Sequence, residues 1–278
     1  MSLALKTTPD GAVSRALGDA YRRLAGICEA LDARVAEGGQ VGVTADRLAS
    51  DRSVLDAFVE AEAARIRDRY GVAVRPDVAA SRALHGYAWS VGVLMGGTWY
   101  LERRVPRIRP EDLRLDLASG TYEITPGTEL ACLPGDPVAA ITGVLTLSQE
   151  DQLRAQLRIS LAEHMRPLLA ALGPVARRRS RALWGMVSDD LVSALWYLGR
   201  MLGEEGAAIR AATEVLPIPV PPYPSGADFR HLVGDDGTRH ATRTRTGCCM
   251  FYAIRPAEAC STCPRTGDAE RLRRLEAS

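Results

Sequence analysis

Four of the chain's six cysteines fall within sixteen positions near the C-terminus: Cys248 and Cys249 side by side, then Cys260 and Cys263. Thiolates so crowded repel one another unless a disulfide or a metal centre takes up their charge. The C-x2-C half is a common chelate, because a tight turn lets both sulfurs converge on one ion. Vicinal cysteines are less usual ligands, since neighbouring side chains in extended backbone point to opposite faces. A bent backbone at Cys248-Cys249 would present both sulfurs to one iron, with Cys260 and Cys263 on the other, completing a four-thiolate [2Fe-2S] site. The same thiols would also make the closed tetrathiolate zinc site of a structural or interaction module.

Composition bears on the choice between disulfides and metal. The first ten residues lack the apolar core of a secretory signal. The most apolar run, 87–101, is too short to span a bilayer and is cut by Gly92, Gly96 and Gly97, so it reads as a buried helix. Cysteines without an export signal point to a reducing compartment, where clustered thiols serve metals, and the expected location is cytoplasmic. A net charge of +1 gives no reason to expect nucleic acid or a membrane surface as partner. Lys6 is the only lysine, so basic patches here are arginine and permanently charged.

The chain reads as mainly α-helical α+β. Residues 1–12 read as a frayed end, followed by one amphipathic helix from Val13 through Leu17, Tyr21, Leu24, Cys28 and Leu31 to Val35. A second helix runs from near Ser53 to a stop at Gly71, and a third covers 77–101 with His85, Tyr87, Trp89 and Trp99. Alternation over Leu113, Leu115 and Leu117, resumed at Tyr122 and Ile124, predicts a hairpin, with a third strand at 129–133. Cys28 and Cys132 fall on these elements as packing residues. Helices resume with the stripe Leu153, Leu157, Leu161, His164, Leu168, then with Leu183, Trp184, Val187, Leu191, Leu195 and Leu198, then over 203–214. Prolines 217, 219, 221, 222 and 224 form a stiff extended connector. The expected organisation is a helical body with a small sheet region (1–216), a Pro-rich connector (217–226) and a cluster-binding segment (227–278) packed back on the helices.

The C-C-x10-C-x2-C pattern fits neither the plant nor the bacterial ferredoxin spacing. With Arg243-Thr244-Arg245-Thr246-Gly247 before it, Met250-Phe251-Tyr252 after the pair and Pro264 after the last cysteine, it resembles the C-terminal segment of the FhuF-like ferric-siderophore reductases. Arg181-Ala182-Leu183-Trp184-Gly185-Met186-Val187 is similar to that family's helical Leu-Trp-Gly element. The resemblance implies that Cys248, Cys249, Cys260 and Cys263 hold a [2Fe-2S] cluster, and that one-electron reduction of Fe(III) in a siderophore releases Fe(II). No Gly-rich dinucleotide fingerprint follows a predicted strand, so an external ferredoxin or flavoprotein is the expected electron donor. A siderophore-binding protein with a sensing cluster is the further alternative.

Substrate contacts are expected from arginines, whose forks suit carboxylate and hydroxamate oxygens. Arg243 and Arg245 are the candidates beside the cysteines, within a stretch where Arg239, Arg255 and Arg265 add charge against the single acid Glu258. Arg181, at the end of Arg177-Arg178-Arg179-Ser180, and Trp184 are the candidates upstream. His164 faces either the core, as a hydrogen-bonded histidine, or a cleft, as a substrate contact.

Overall fold

In the computed structural model, which describes residues 9–38 and 42–277, the apolar stripe from Val13 to Leu24 lays α1 (Pro9–Ile27) on the core. The first eight residues of the expected frayed end lie outside the described residues. The helix expected to reach Val35 stops at Ile27, and Ala33–Val35 leave as strand β1. The reason is tertiary: β1 pairs in parallel with residues 122–124, and that ladder replaces the last helical turns. Strand β2 (Val43–Thr44) leads into a short helix, α2 (Ala45–Ser50), which the sequence reading did not anticipate. Helix α3 (Arg52–Tyr70) starts where the Asp51 carboxylate accepts the N–H groups of Ser53 and Val54, at 3.0 and 3.4 Å. It ends at Gly71, whose φ of 68° is the left-handed stop that glycine makes at least cost.

The expected third helix is present as α4 (Pro76–Gly92), a π-helical turn (Val93–Gly97) and α5 (Thr98–Glu102). After β3 (Arg104–Pro106), the expected hairpin forms as β4 (Leu113–Leu115) and β5 (Tyr122–Ile124), flanked in the sheet by β2 and β1. The third strand exists as β6 (Leu130–Cys132), but in a different sheet, between β3 and β7 (Leu145–Thr146). All three β6 residues are buried, so this strand needs cover on both faces, which a place at the hairpin's edge would not supply.

Helices α6 (Glu150–Ala176), α7 (Ser180–Met201) and α8 (Glu205–Val215) follow the predicted stripes. The proline stretch is not an extended spacer. Val220 and Tyr223 exchange backbone hydrogen bonds of 3.1 and 2.8 Å, and the Ala227 N–H returns to Leu216 O at 2.8 Å, so the chain doubles back. Burial of Tyr223, edge-on to Trp184, accounts for the turn. The chain closes with an unanticipated hairpin, β8 (Phe229–Val233) and β9 (Arg239–Arg243), and with α9 (Asp268–Glu276).

Two helices at the centre position everything that follows. Fifteen of the 22 residues of α7 are buried, so it is packed on nearly every side. It crosses α4 closely: a Cβ on Gly92 would lie 3.3 Å from Leu191 Cα, and one on Gly96 3.0 Å from Leu191 Cδ1. His85 is two turns before Gly92 and therefore shares the α4 face turned to α7. No helix among the described residues is long and apolar enough to cross a membrane.

Candidate metal centre

The crossing of α4 and α7 brings two adjacent acids, Asp189 and Asp190, into the core with no solvent exposure. Bare carboxylates there would be prohibitively costly, so each must be paired. Asp189 Oδ1 accepts from Arg243 Nη2 at 2.6 Å, and Asp189 Oδ2 accepts the Gly247 N–H at 2.6 Å. Asp190 Oδ1 accepts from Arg245 Nη2 and lies 2.7 Å from His85 Nδ1. Burial pushes Asp189 up from its ordinary pKa, while Arg243, Arg245 and the Gly247 N–H pull against it. For Asp190 the burial penalty is outweighed by Arg245 and His85, and its carboxyl is held low. α7 thus grips the strand-to-loop segment that runs into Cys248.

The grip is close enough to require glycine at 247, while position 185 sits at ordinary van der Waals contact. A Cβ on Gly185 would touch Thr246 Cγ2 at 3.4 Å and Gly247 N at 3.5 Å; one on Gly247 would lie 2.6 Å from Met186 N. Immediately beyond, Met250 adopts a left-handed φ of 64°, which turns the chain just after the vicinal pair. Its N–H donates to Cys248 Sγ at 3.4 Å. On the other arm, the Cys263 N–H bonds Cys260 O at 2.9 Å and closes the turn of the C-x2-C pair.

All four thiols line one small cavity, with Arg245, Phe251, Tyr252 and Pro264 among its other walls. Cys249 and Cys263 are buried; Cys248 and Cys260 are half-buried. A hydrogen bond from the Cys260 thiol draws Cys249 down toward thiolate, against burial, with His85, Arg82 and Arg245 adding to it; Cys260 is correspondingly driven up. Burial raises Cys248. Among the described residues, no three His, Cys, Asp or Glu side chains are drawn together as ligands of a metal ion. The four thiols share a cavity rather than a point, the chain turns just after the vicinal pair, and an N–H already faces one sulfur; this donor set suits a group larger than one ion.

Several expectations for the surrounding residues change. Arg243 is 0% and Arg245 5% exposed, so neither is a surface charge: both are spent on Asp189 and Asp190. His164 is 3% exposed and fully engaged, with Tyr87 Oη at 2.6 Å from Nε2 and Ile108 O at 2.9 Å from Nδ1. Burial pushes its pKa down to about 4, so it is a neutral core histidine and not a cleft residue. The exposed Arg181 stands at the start of α7, one turn before Gly185 and Met186, which lie against Gly247, and Trp184 immediately precedes them. Cys28 and Cys132 are buried in the main core, far in sequence from the thiol cavity.

Other residues enter the site unannounced. Arg271 of α9 is 1% exposed and donates to Arg243 O (3.2 Å), Thr244 Oγ1 (2.9 Å), Cys263 O (3.0 Å) and Thr266 O (3.1 Å), joining the two cysteine arms. Arg82 lies over the Phe251 ring, 5.2 Å from its centroid. Arg178, bonded to Ser81 Oγ at 3.2 Å, acts electrostatically on Cys248. Only Asp189-Asp190 carried a sequence signal, as two acids inside an apolar helical run.

No curated protein matches the chain. Residues 245–265 match a family model described as the FhuF 2Fe-2S C-terminal domain, and the match contains all four cysteines of the cavity. The segment 245–265 of this chain is therefore similar to the FhuF 2Fe-2S C-terminal domain, and the cofactor this match supports is a [2Fe-2S] cluster.

Proposed function

We propose that the protein is a ferric-siderophore reductase that holds its cluster through Cys248, Cys249, Cys260 and Cys263. The observation that carries this reading is the coincidence of the family match with four thiols on one cavity, two of them half-exposed. Fe(III) in a siderophore is held tightly by hard oxygen donors, and Fe(II) far less so. When bound, the cluster supplies one electron at a time. One electron reduces Fe(III) to Fe(II) with no covalent bond of the chelator broken, and an external ferredoxin or flavoprotein restores it. The chain's own part is to hold the four thiols in place through Asp189, Gly247 and Arg271, to set buried guanidinium charge beside them, and to leave one edge open.

Anaerobically purified protein should be red-brown, with two irons and two acid-labile sulfides per chain. Mixed in its reduced form with a ferric siderophore, it should lose one electron per cluster and deliver iron to a ferrous-specific chromogenic chelator. Single Cys→Ser changes at 248, 249, 260 or 263 should remove or badly destabilise the chromophore, and changes at Cys28 or Cys132 should spare it. Stoichiometric zinc without sulfide, in protein from iron-replete cells, would overturn the assignment in favour of a zinc module. A stable cluster that no ferric chelate oxidises would make it a sensing protein.

A further inference from the structure

Arg243 and Arg245 are buried, the exposed Arg255 is bonded to Glu258, and the exposed Arg265 lies over the Tyr252 ring at 4.3 Å; a concentration of open positive charge is found elsewhere. It lies where α6 ends and α7 begins. A groove of about 590 Å³ is lined there by Arg166, Arg177, Arg178, Arg179, Ser180 and Trp184, with no acid in its wall. Arg166, Arg177 and Arg179 are exposed. The Arg166 guanidinium lies 5.9 Å from the centroid of the Trp184 ring. Asp77, on which Arg177 acts electrostatically, is already bonded to Arg75 at 2.8 Å. Arg177 holds a left-handed φ of 51°, a position where glycine would be the cheaper residue, and so keeps a guanidinium here at a conformational cost.

The groove adjoins the thiol cavity. Trp184 is followed by Gly185, which packs on Thr246 and Gly247, and Arg178 is the groove arginine that acts on Cys248. We propose that this groove seats the substrate, and that it selects anionic ferric chelates (catecholate or carboxylate type) over neutral ones. The inference rests on the reductase reading and adds to it where the chelate sits and what charge it carries. Four permanent guanidinium charges with an aromatic wall match a multiply charged oxygen-donor complex that presents planar catecholate rings at its surface. The volume is that of a small-molecule site, about 300–1,000 Å³.

The test uses the cluster-loaded protein in its oxidised form and redox-inert Ga(III) complexes, so that binding is read without turnover. A Ga(III) tris-catecholate, a neutral Ga(III) trihydroxamate and inorganic phosphate are titrated calorimetrically into the parent and into Arg177→Gln/Arg179→Gln. Both side chains are exposed, and an unchanged visible spectrum reports an intact site. The tris-catecholate should bind the parent, weaken by about tenfold in the double variant, and weaken further as salt rises. The neutral complex should bind at least tenfold more weakly and be indifferent to the substitutions. Equal tris-catecholate affinity in the two proteins would overturn the proposal. So would phosphate competing as well as the chelate, which reduces the groove to a general anion site. So would a variant that slows electron uptake from an acidic ferredoxin while binding the chelate normally, which assigns the groove to the donor. Binding of the Ga(III) complex by the parent, lost in the variant, without oxidation of the reduced protein by the Fe(III) counterpart would leave the groove standing and sink the reductase reading instead.

Discussion

His164 shows how completely a single side chain can be decided by its surroundings. Its Nδ1–H is given to Ile108 O and its Nε2 accepts from Tyr87, so both nitrogens are satisfied only in the neutral form. The folded pKa is about 4 against 6.5 for an unperturbed histidine. Between those values the unfolded chain binds the extra proton and the folded chain does not. Stability therefore rises with pH across that window and levels off above it. The contribution lost on acidification is on the order of 3 kcal/mol, at about 1.4 kcal/mol per pH unit. Denaturant unfolding at several pH values should show this slope in the parent. His164→Gln should be less stable at pH 7 and visibly flatter from pH 6.5 to 4; an unchanged slope would show that other groups carry it.

Among elements, the loop bearing Cys248 and Cys249 depends on two neighbours that do not touch iron. Gly247 lies directly on α7, and any Cβ there meets Met186 backbone at 2.6 Å, which a side-chain rotation cannot relieve. Gly247→Ala should cost about 1–3 kcal/mol and shorten the life of the cluster in the presence of a chelator. Arg271 of α9 binds carbonyls on both cysteine arms, Arg243 O and Cys263 O. Arg271→Met would remove those bonds and leave Cys263 O with the Thr266 N–H alone, at 3.1 Å, for a loss of about 1–3 kcal/mol. Its expected signature is faster bleaching with helical content unchanged. Bleaching rates equal to the parent's in both variants would confine these residues to general packing.

For the molecule as a whole, the buried charges of α7 tie the C-terminal segment to the helical body. Breaking such a pair from one side is expected to cost about 3–5 kcal/mol, because it strands the other charge away from water. Cys249 belongs to the same hydrophobic core as α1, α4 and α7. Anaerobic denaturant unfolding should therefore lose cluster absorbance and far-UV circular dichroism at one midpoint. Asp189→Asn should move the absorbance midpoint below the other. Two separate midpoints in the parent would instead make 227–278 a unit that folds on its own.

Much of this was legible in order along the chain, because it rests on local chemistry. The spacing of four cysteines restricts what can bind them, and the three-to-four periodicity of α3, α4, α6 and α7 needs nothing beyond neighbouring side chains. The β8–β9 hairpin was missed: Asp235-Asp236-Gly237 is a turn signal, but its flanking strands are too polar to read as strands. Burial was another matter. Arg243 looks like any surface arginine until Asp189, 54 positions earlier, is folded against it. Val35 looks helical until a strand nearly 90 residues later offers it a ladder. Arg82 and Arg178 come to the cysteines' edge only because α4 lies beside the junction of α6 and α7. The sequence by itself determined the cofactor's ligands as candidates and the helices that frame them. Which arginines are locked inside and which face a substrate was decided by long-range packing, since an ion pair forms only where the rest of the fold has already met the cost of bringing its partners together.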